Sequence, residues 1–173
     1  VVRPHRGPLR LHSVPQGDGL SARDPNCPLC QEDGGTLLWR GPHLRVIEVG
    51  DADYPGFTRV IWNAHLAEMT SLSTHGRDLL MRAVYAVEEA QQSVLAPDKI
   101  NLASLGNMVP HLHWHVIPRW RGDRHFPDPI WAAPRIAAGS ESAQWHDQQA
   151  RTQALLPRYR NRVIEAMNAL LMH

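Results

Sequence analysis

The chain has 173 residues, of which 43% are hydrophobic and 20% charged, the ordinary composition of a globular domain large enough to bury a sizeable core. A net charge of +1 and a pI near 8.1 give no strong field for nucleic acid, and no apolar run approaches the roughly 20 residues needed to span a bilayer. No secretory layout opens the chain, so a cytoplasmic protein with no membrane partner is the expectation.

Residues 1–23 carry Arg3, Pro4, Arg6, Gly7, Pro8, Arg10 and Pro15 without apolar periodicity and read as a flexible extension. Cys27 and Cys30 follow, the only cysteines, in a C-x-x-C that means zinc or redox chemistry. A redox motif wants a strand before it and a helix after it, whereas here a Gly/Pro/Arg-rich tail precedes and Gln31 to Gly35 follow as a turn. Zinc is favoured, and two cysteines are half of a tetrahedral site.

Thr36 to Arg40 and Leu44 to Val49 read as short strands around the turn Gly41-Pro42-His43, and Thr58 to Trp62 as a third. Ser73 is placed to cap a helix from Thr74 to Leu95, with Leu79, Leu80, Ala83, Val84, Val87 and Val94 as its core stripe. Ile100 to Leu105 and His111 to Ile117 are the fourth and fifth strands, joined by a short turn as a hairpin. A Trp/Pro-rich segment from Arg121 to Pro134 suits a lid or a cover, and Thr152 to Leu171 is helical in spacing. The sum is an α+β domain: an antiparallel sheet of about five strands, one long helix packed on it and a C-terminal helix. The expected organisation is an extension over 1–23, a catalytic domain over 24–120, and a segment over 121–173 packed on it.

The fifth strand is the richest in chemistry. Alternation puts His111, His113 and His115 on one side and Leu112, Trp114 and Val116 on the other. On a straight strand the outer pair stand about 13 Å apart at Cα, too far to share one ion, so the three histidines should do different jobs.

His-x-His-x-His followed by Val116-Ile117-Pro118-Arg119, with Asn101, Gly106 and Asn107 before it, resembles the signature of the histidine triad (HIT) superfamily, in its zinc-containing bacterial branch. The resemblance runs from Cys27 to Arg119. It implies a nucleotidyl hydrolase or transferase, with His113 as nucleophile, His115 on phosphate oxygens, and Asn101 and Asn107 holding ribose or phosphate oxygens of a nucleotide substrate. It also implies a structural Zn2+ on Cys27, Cys30, His65 and His111, no organic cofactor, and a homodimer. The chain departs from the pattern at Phe57, where relatives often have histidine, and at Met108, where they often have a hydroxyl. It departs also at the ribose-holding position, which falls in Val49 to Asp51 without a clear match, so that Glu48, Asp51 or Asp53 could serve instead. Two other readings stand beside this one: a zinc-stabilised nucleotide-binding module without turnover, and a metal hydrolase using His111 and His113 together.

Overall fold

The computed structural model describes residues 23–170 and 172; the expected extension, apart from Arg23, lies outside the described residues. A single turn of helix, α1 (Pro28–Gln31), precedes the strands β1 (Thr36–Arg40), β2 (Leu44–Glu48) and β3 (Thr58–Trp62). Helix α2 (Thr74–Val94), strands β4 (Lys99–Ala103) and β5 (His113–Arg119), and helix α3 (Ala143–Leu170) complete the chain. The strands make one antiparallel sheet in the order β1-β2-β3-β5-β4, so the expected α+β fold is the observed one.

Alternation sorts the two faces of this sheet. Leu44, Val46, Val60, Trp62, Val116 and Ile100 pack under α2 and α3 with Leu80, Val84, Val87, Tyr159, Val163 and Met167. Burying such a side chain contributes about 1.5–3 kcal/mol, so this layer is the main source of stability. Ser73 caps α2, its side chain accepting from Gly76 N–H at 3.0 Å. Gly56, at φ +86°, brings the chain into β3 against Leu95, whose Cδ1 would stand 2.6 Å from an added Cβ. Among the described residues no helix is long and apolar enough to cross a membrane.

Several boundaries differ from the expectation, at both ends of the fifth strand, in the connection before it and at the start of the last helix. The fifth strand begins at His113, not His111, because Pro110 interrupts the chain and His111 N–H turns back to Val109 C=O at 2.8 Å. The same strand runs through Pro118 to Arg119. Pro118 pairs with Ile100 of β4 but lies beyond Val116, the last β5 residue in register with β3, so its missing N–H interrupts no β3–β5 pairing. There Gln91 takes over, donating to the carbonyls of Gly56 at 3.0 Å and Val116 at 2.9 Å. The connection between β4 and β5 is accordingly a loop over 104–112 and not a tight turn. Helix α3 starts at Ala143, well before Thr152, with the Ser142 hydroxyl accepting from Trp145 N–H at 3.2 Å. Its early turns carry Gln144, His146, Asp147, Gln148 and Gln149, with Trp145 the one buried residue before Thr152, so they show no apolar period.

Candidate active site and metal cluster

The face of the sheet away from the helices carries the polar chemistry. At one end the α1 turn brings Cys27 and Cys30 against His65, from the segment after β3, and His111, from the loop before β5. The four ligand atoms all lie within 4.8 Å of one another. His111 Nδ1 is 3.5 Å from both sulfurs, and His65 Nδ1 is 3.4 Å from Cys30 Sγ. A tetrahedral ion with M–S near 2.3 Å and M–N near 2.1 Å would place S and N about 3.6 Å apart, so the four residues fit a metal of zinc's preferences. The tautomer fits as well: His111 Nε2–H donates to the Trp62 carbonyl at 2.6 Å, leaving the Nδ1 lone pair directed at the sulfurs. Burial lowers the pKa of His111, which keeps the ring neutral. Burial raises that of the Cys30 thiol, against the pull of the Asp24 backbone N–H lying 3.4 Å from its sulfur.

Arg45, on β2, fastens this corner to the sheet. It is buried, and its guanidinium donates to the carbonyls of Leu29 at 2.6 Å and Asp33 at 3.1 Å. The cysteine turn is thus held by hydrogen bonds to a strand as well as by its apolar contacts with Ile47 and Ile61.

His113 and His115 lie next along β5, both buried, with ring centroids 4.7 Å apart. His113 Nδ1–H donates to the main-chain carbonyl of His111 at 2.6 Å. That bond fixes the tautomer and leaves Nε2 with its lone pair and no partner among the described residues. Burial lowers the pKa of both rings, and for His115, beside His113 and the Arg59 guanidinium, to about 3. Both are therefore neutral imidazoles at neutral pH. Around His115 stand Phe57, tilted at 5.6 Å, and Trp131, edge-on at 5.2 Å.

Trp131 comes from the Trp/Pro-rich segment, which is held by a buried hub absent from the sequence reading. Arg119, the last residue of β5, donates to Asp123 through Nε at 2.7 Å and Nη2 at 2.9 Å, to Asn101 Oδ1 at 2.7 Å and to the Asp128 carbonyl at 2.8 Å. Its guanidinium lies over the rings of both Tyr54 and Phe126, at 5.7 and 5.9 Å. Asp123 in turn accepts from the backbone N–H groups of Trp120, His125 and Phe126. Tyr54 is hydrogen-bonded to His125, and burial raises its pKa.

The structure brings Cys27, Cys30, His65 and His111 together as one cluster and sets His113 and His115 beside it on β5. Asn101 is on the same face, half-buried, two residues along β4 from Ala103, the partner of His115, with its side-chain oxygen already accepting from Arg119. Asn107 is exposed in the loop over 104–112. Of the candidate acids, Glu48 is buried and pairs with Arg160 of α3 at 2.6 Å, while Asp53 pairs with Arg124 at 2.8 Å. Sequence reading missed Arg59 and Trp131. Arg59 leaves a trace, since it is the one charged residue in the otherwise largely apolar β3, but Trp131 reaches His115 only through the Arg119 hub.

The HIT domain matches residues 32–122, more than half of the chain. Among solved structures the fold is similar to a histidine triad protein from Bradyrhizobium japonicum (26% identity, TM-score 0.54, 71% of this chain and 91% of that one). It is similar also to one from Marinobacter aquaeolei VT8 (26%, TM-score 0.54, 73% and 92%). A third, from Sinorhizobium meliloti 1021, gives 24% identity and TM-score 0.55 over 71% and 90%. No curated protein matches the chain. The family match takes in the sheet, α2 and all three triad histidines, and the chain belongs to the HIT domain family.

Proposed function

We propose that this protein is a nucleotidyl hydrolase or transferase that cleaves a nucleoside phosphate derivative at its α-phosphorus through a nucleotidyl-histidine. Dinucleoside polyphosphates, phosphoramidates and similar adenylylated compounds are the candidate substrates. The observation that carries the reading is the hydrogen bond from His113 Nδ1–H to the His111 carbonyl at 2.6 Å. It leaves a neutral Nε2 lone pair as the attacking group. As the Nε2–P bond forms, the bond from phosphorus to the leaving group breaks with its electron pair. The carbonyl then stabilises the positive charge that develops on the ring. Water attacks the adduct next, releasing the nucleoside monophosphate and neutral His113, with the water's proton passing to solvent. In this scheme His115 donates to a phosphate oxygen, and Asn101 and Asn107 hold ribose or phosphate oxygens.

Zinc is the metal we assign to Cys27, Cys30, His65 and His111, and four protein ligands make it structural, an anchor with no open position for substrate. His111 then has two roles. Its side chain is a ligand, and its main-chain carbonyl orients the nucleophile.

The test uses labelled adenosine 5′-phosphoramidate and diadenosine tetraphosphate with wild type and His113→Ala. Wild type should release AMP and form an acid-labile covalent adduct, and the variant should do neither. Equal turnover by both proteins would refute the assignment of the nucleophile, and nucleotide bound by wild type without AMP or adduct would make the protein a binding module.

A further inference from the structure

One cation on the triad face has no counter-ion among the described residues. Arg59 lies on β3 directly across from His115. Its Nε is 3.4 Å from His115 Nδ1, and its guanidinium carbon stands 5.7 Å over the Phe57 ring. Among the described residues no carboxylate comes within ion-pair distance of it, and its two terminal nitrogens have no hydrogen-bond partner. The chain treats its other inward arginines differently. Arg45 is consumed by carbonyls of the cysteine turn, and Arg119 by Asp123, Asn101 and Asp128. Arg59 is half-buried, and burial lowers its pKa. A guanidinium loses hydration at such a place, and among the described residues no counter-ion offsets that cost.

Two consequences follow from the geometry. The Arg59 Nε–H donates to His115 Nδ1, so the proton of the neutral imidazole sits on Nε2, where it can be given in a hydrogen bond. The terminal N–H groups remain as a planar fork, the shape that grips phosphate through two parallel bonds. On the face the nucleophile His113 and the neutral donor His115 follow one another along β5, and the fixed cation Arg59 stands beside His115 on β3.

We propose that Arg59 is a phosphate-binding residue of this site and that it selects substrates whose leaving group is itself a phosphate or polyphosphate over those that expel an amine. The inference rests on the reaction proposed above. A phosphate over His113 Nε2 uses His115, and a second phosphate in the same chain turns toward the guanidinium beside that ring on β3. When the α–β bond breaks, its electron pair goes to the bridging oxygen, which departs as a phosphate oxyanion beside a permanent positive charge and needs no proton. An amine must be protonated as it leaves, and neither a guanidinium nor an already neutral His115 is a ready acid.

The experiment compares kcat/KM for diadenosine tetraphosphate and adenosine 5′-phosphoramidate in wild type, Arg59→Met and Arg59→Lys, with inhibition by inorganic pyrophosphate and by AMP measured alongside. Arg59→Met should cost roughly 10- to 100-fold on the tetraphosphate, the loss expected for charge-assisted hydrogen bonds, and much less on the phosphoramidate. Arg59→Lys should fall between, because it keeps the charge and loses the fork. Pyrophosphate inhibition should weaken in step with the tetraphosphate loss while AMP inhibition changes little. Equal losses on both substrates, or undiminished pyrophosphate binding by Arg59→Met, would overturn the inference. If wild type cleaves neither compound, the proposed reaction is wrong, and pyrophosphate binding still reads the role of Arg59 directly.

Discussion

Replacing Asp123 by alanine should cost about 3–5 kcal/mol of folding stability, the loss typical when one partner of a buried ion pair is removed. Asp123 is 2% and Arg119 1% exposed, so water cannot stand in for the missing carboxylate. The carboxylate accepts five hydrogen bonds: two from Arg119, at 2.7 and 2.9 Å, and three from the N–H groups of Trp120, His125 and Phe126 at 3.3, 3.0 and 2.8 Å. The alanine variant keeps a buried guanidinium with only Asn101 and the Asp128 carbonyl as acceptors, and it orphans the N–H groups of Trp120 and His125, while Phe126 N–H retains the main-chain carbonyl of residue 123 at 3.3 Å. For a domain of this size the loss corresponds to roughly 6–20 °C in Tm. Urea denaturation at pH 7.5, with the m-value checked for constancy, measures it. Arg119→Met combined with Asp123→Ala should recover part of the loss, since it removes the unpaired charge but leaves the N–H groups of Trp120 and His125 unserved. A single-variant cost below about 1 kcal/mol, or a double variant worse than the sum of the singles, would refute the account of this hub.

Cys27→Ser should release bound metal, detected by elemental analysis of the purified protein, and lower Tm; metal retained at one equivalent would eliminate the four-residue cluster as the binding site. His115 titrates near 3 when folded and near 6.5 when unfolded, so below pH 6.5 protons bind preferentially to the unfolded chain and stability falls with falling pH. Between pH 7.5 and 5.0 this one group should remove about 2 kcal/mol, at about 1.4 kcal/mol per unit. His115→Asn should therefore lose about that much less over the same interval in urea titrations, and parallel losses in both proteins would contradict the burial of a neutral ring.

The sheet was readable because its strands are short, β-rich and bounded by Gly and Pro, and because one face is continuously apolar. Ser73 and the spacing of Leu80, Val84 and Val87 made α2 readable for the same reason. The metal cluster was readable only through resemblance: Cys27 and Cys30 declare half a site, but nothing local to His65 or His111 says that the fold brings them to the sulfurs. Periodicity also misled at His111. It continues the alternation of the strand in sequence while lying outside it in space, because Pro110 ends the pairing and frees the ring to turn toward Cys27. The start of α3 was hidden by its polar first turns, and the Arg119 hub by the fact that a buried arginine looks like any other arginine until its acceptors are found.

The position of His111 at the edge of β5, and not within it, is what lets one residue serve two neighbours. Inside the ladder its carbonyl would be committed to a neighbouring strand. Released from the ladder, the carbonyl is available to His113 Nδ1 at 2.6 Å, while the imidazole bridges from the Trp62 carbonyl to the cysteine pair. The nucleophile proposed here is therefore held from the metal corner, and the ring beside it is held from the opposite end, by Arg59 on β3 and by Trp131 on the loop that Arg119 secures. Two independent supports on adjacent imidazoles predict separable failures. Loss of the metal should disturb the tautomer and aim of His113 first, whereas loss of the Arg119–Asp123 hub should loosen the wall at His115 and leave the His113 hydrogen bond in place.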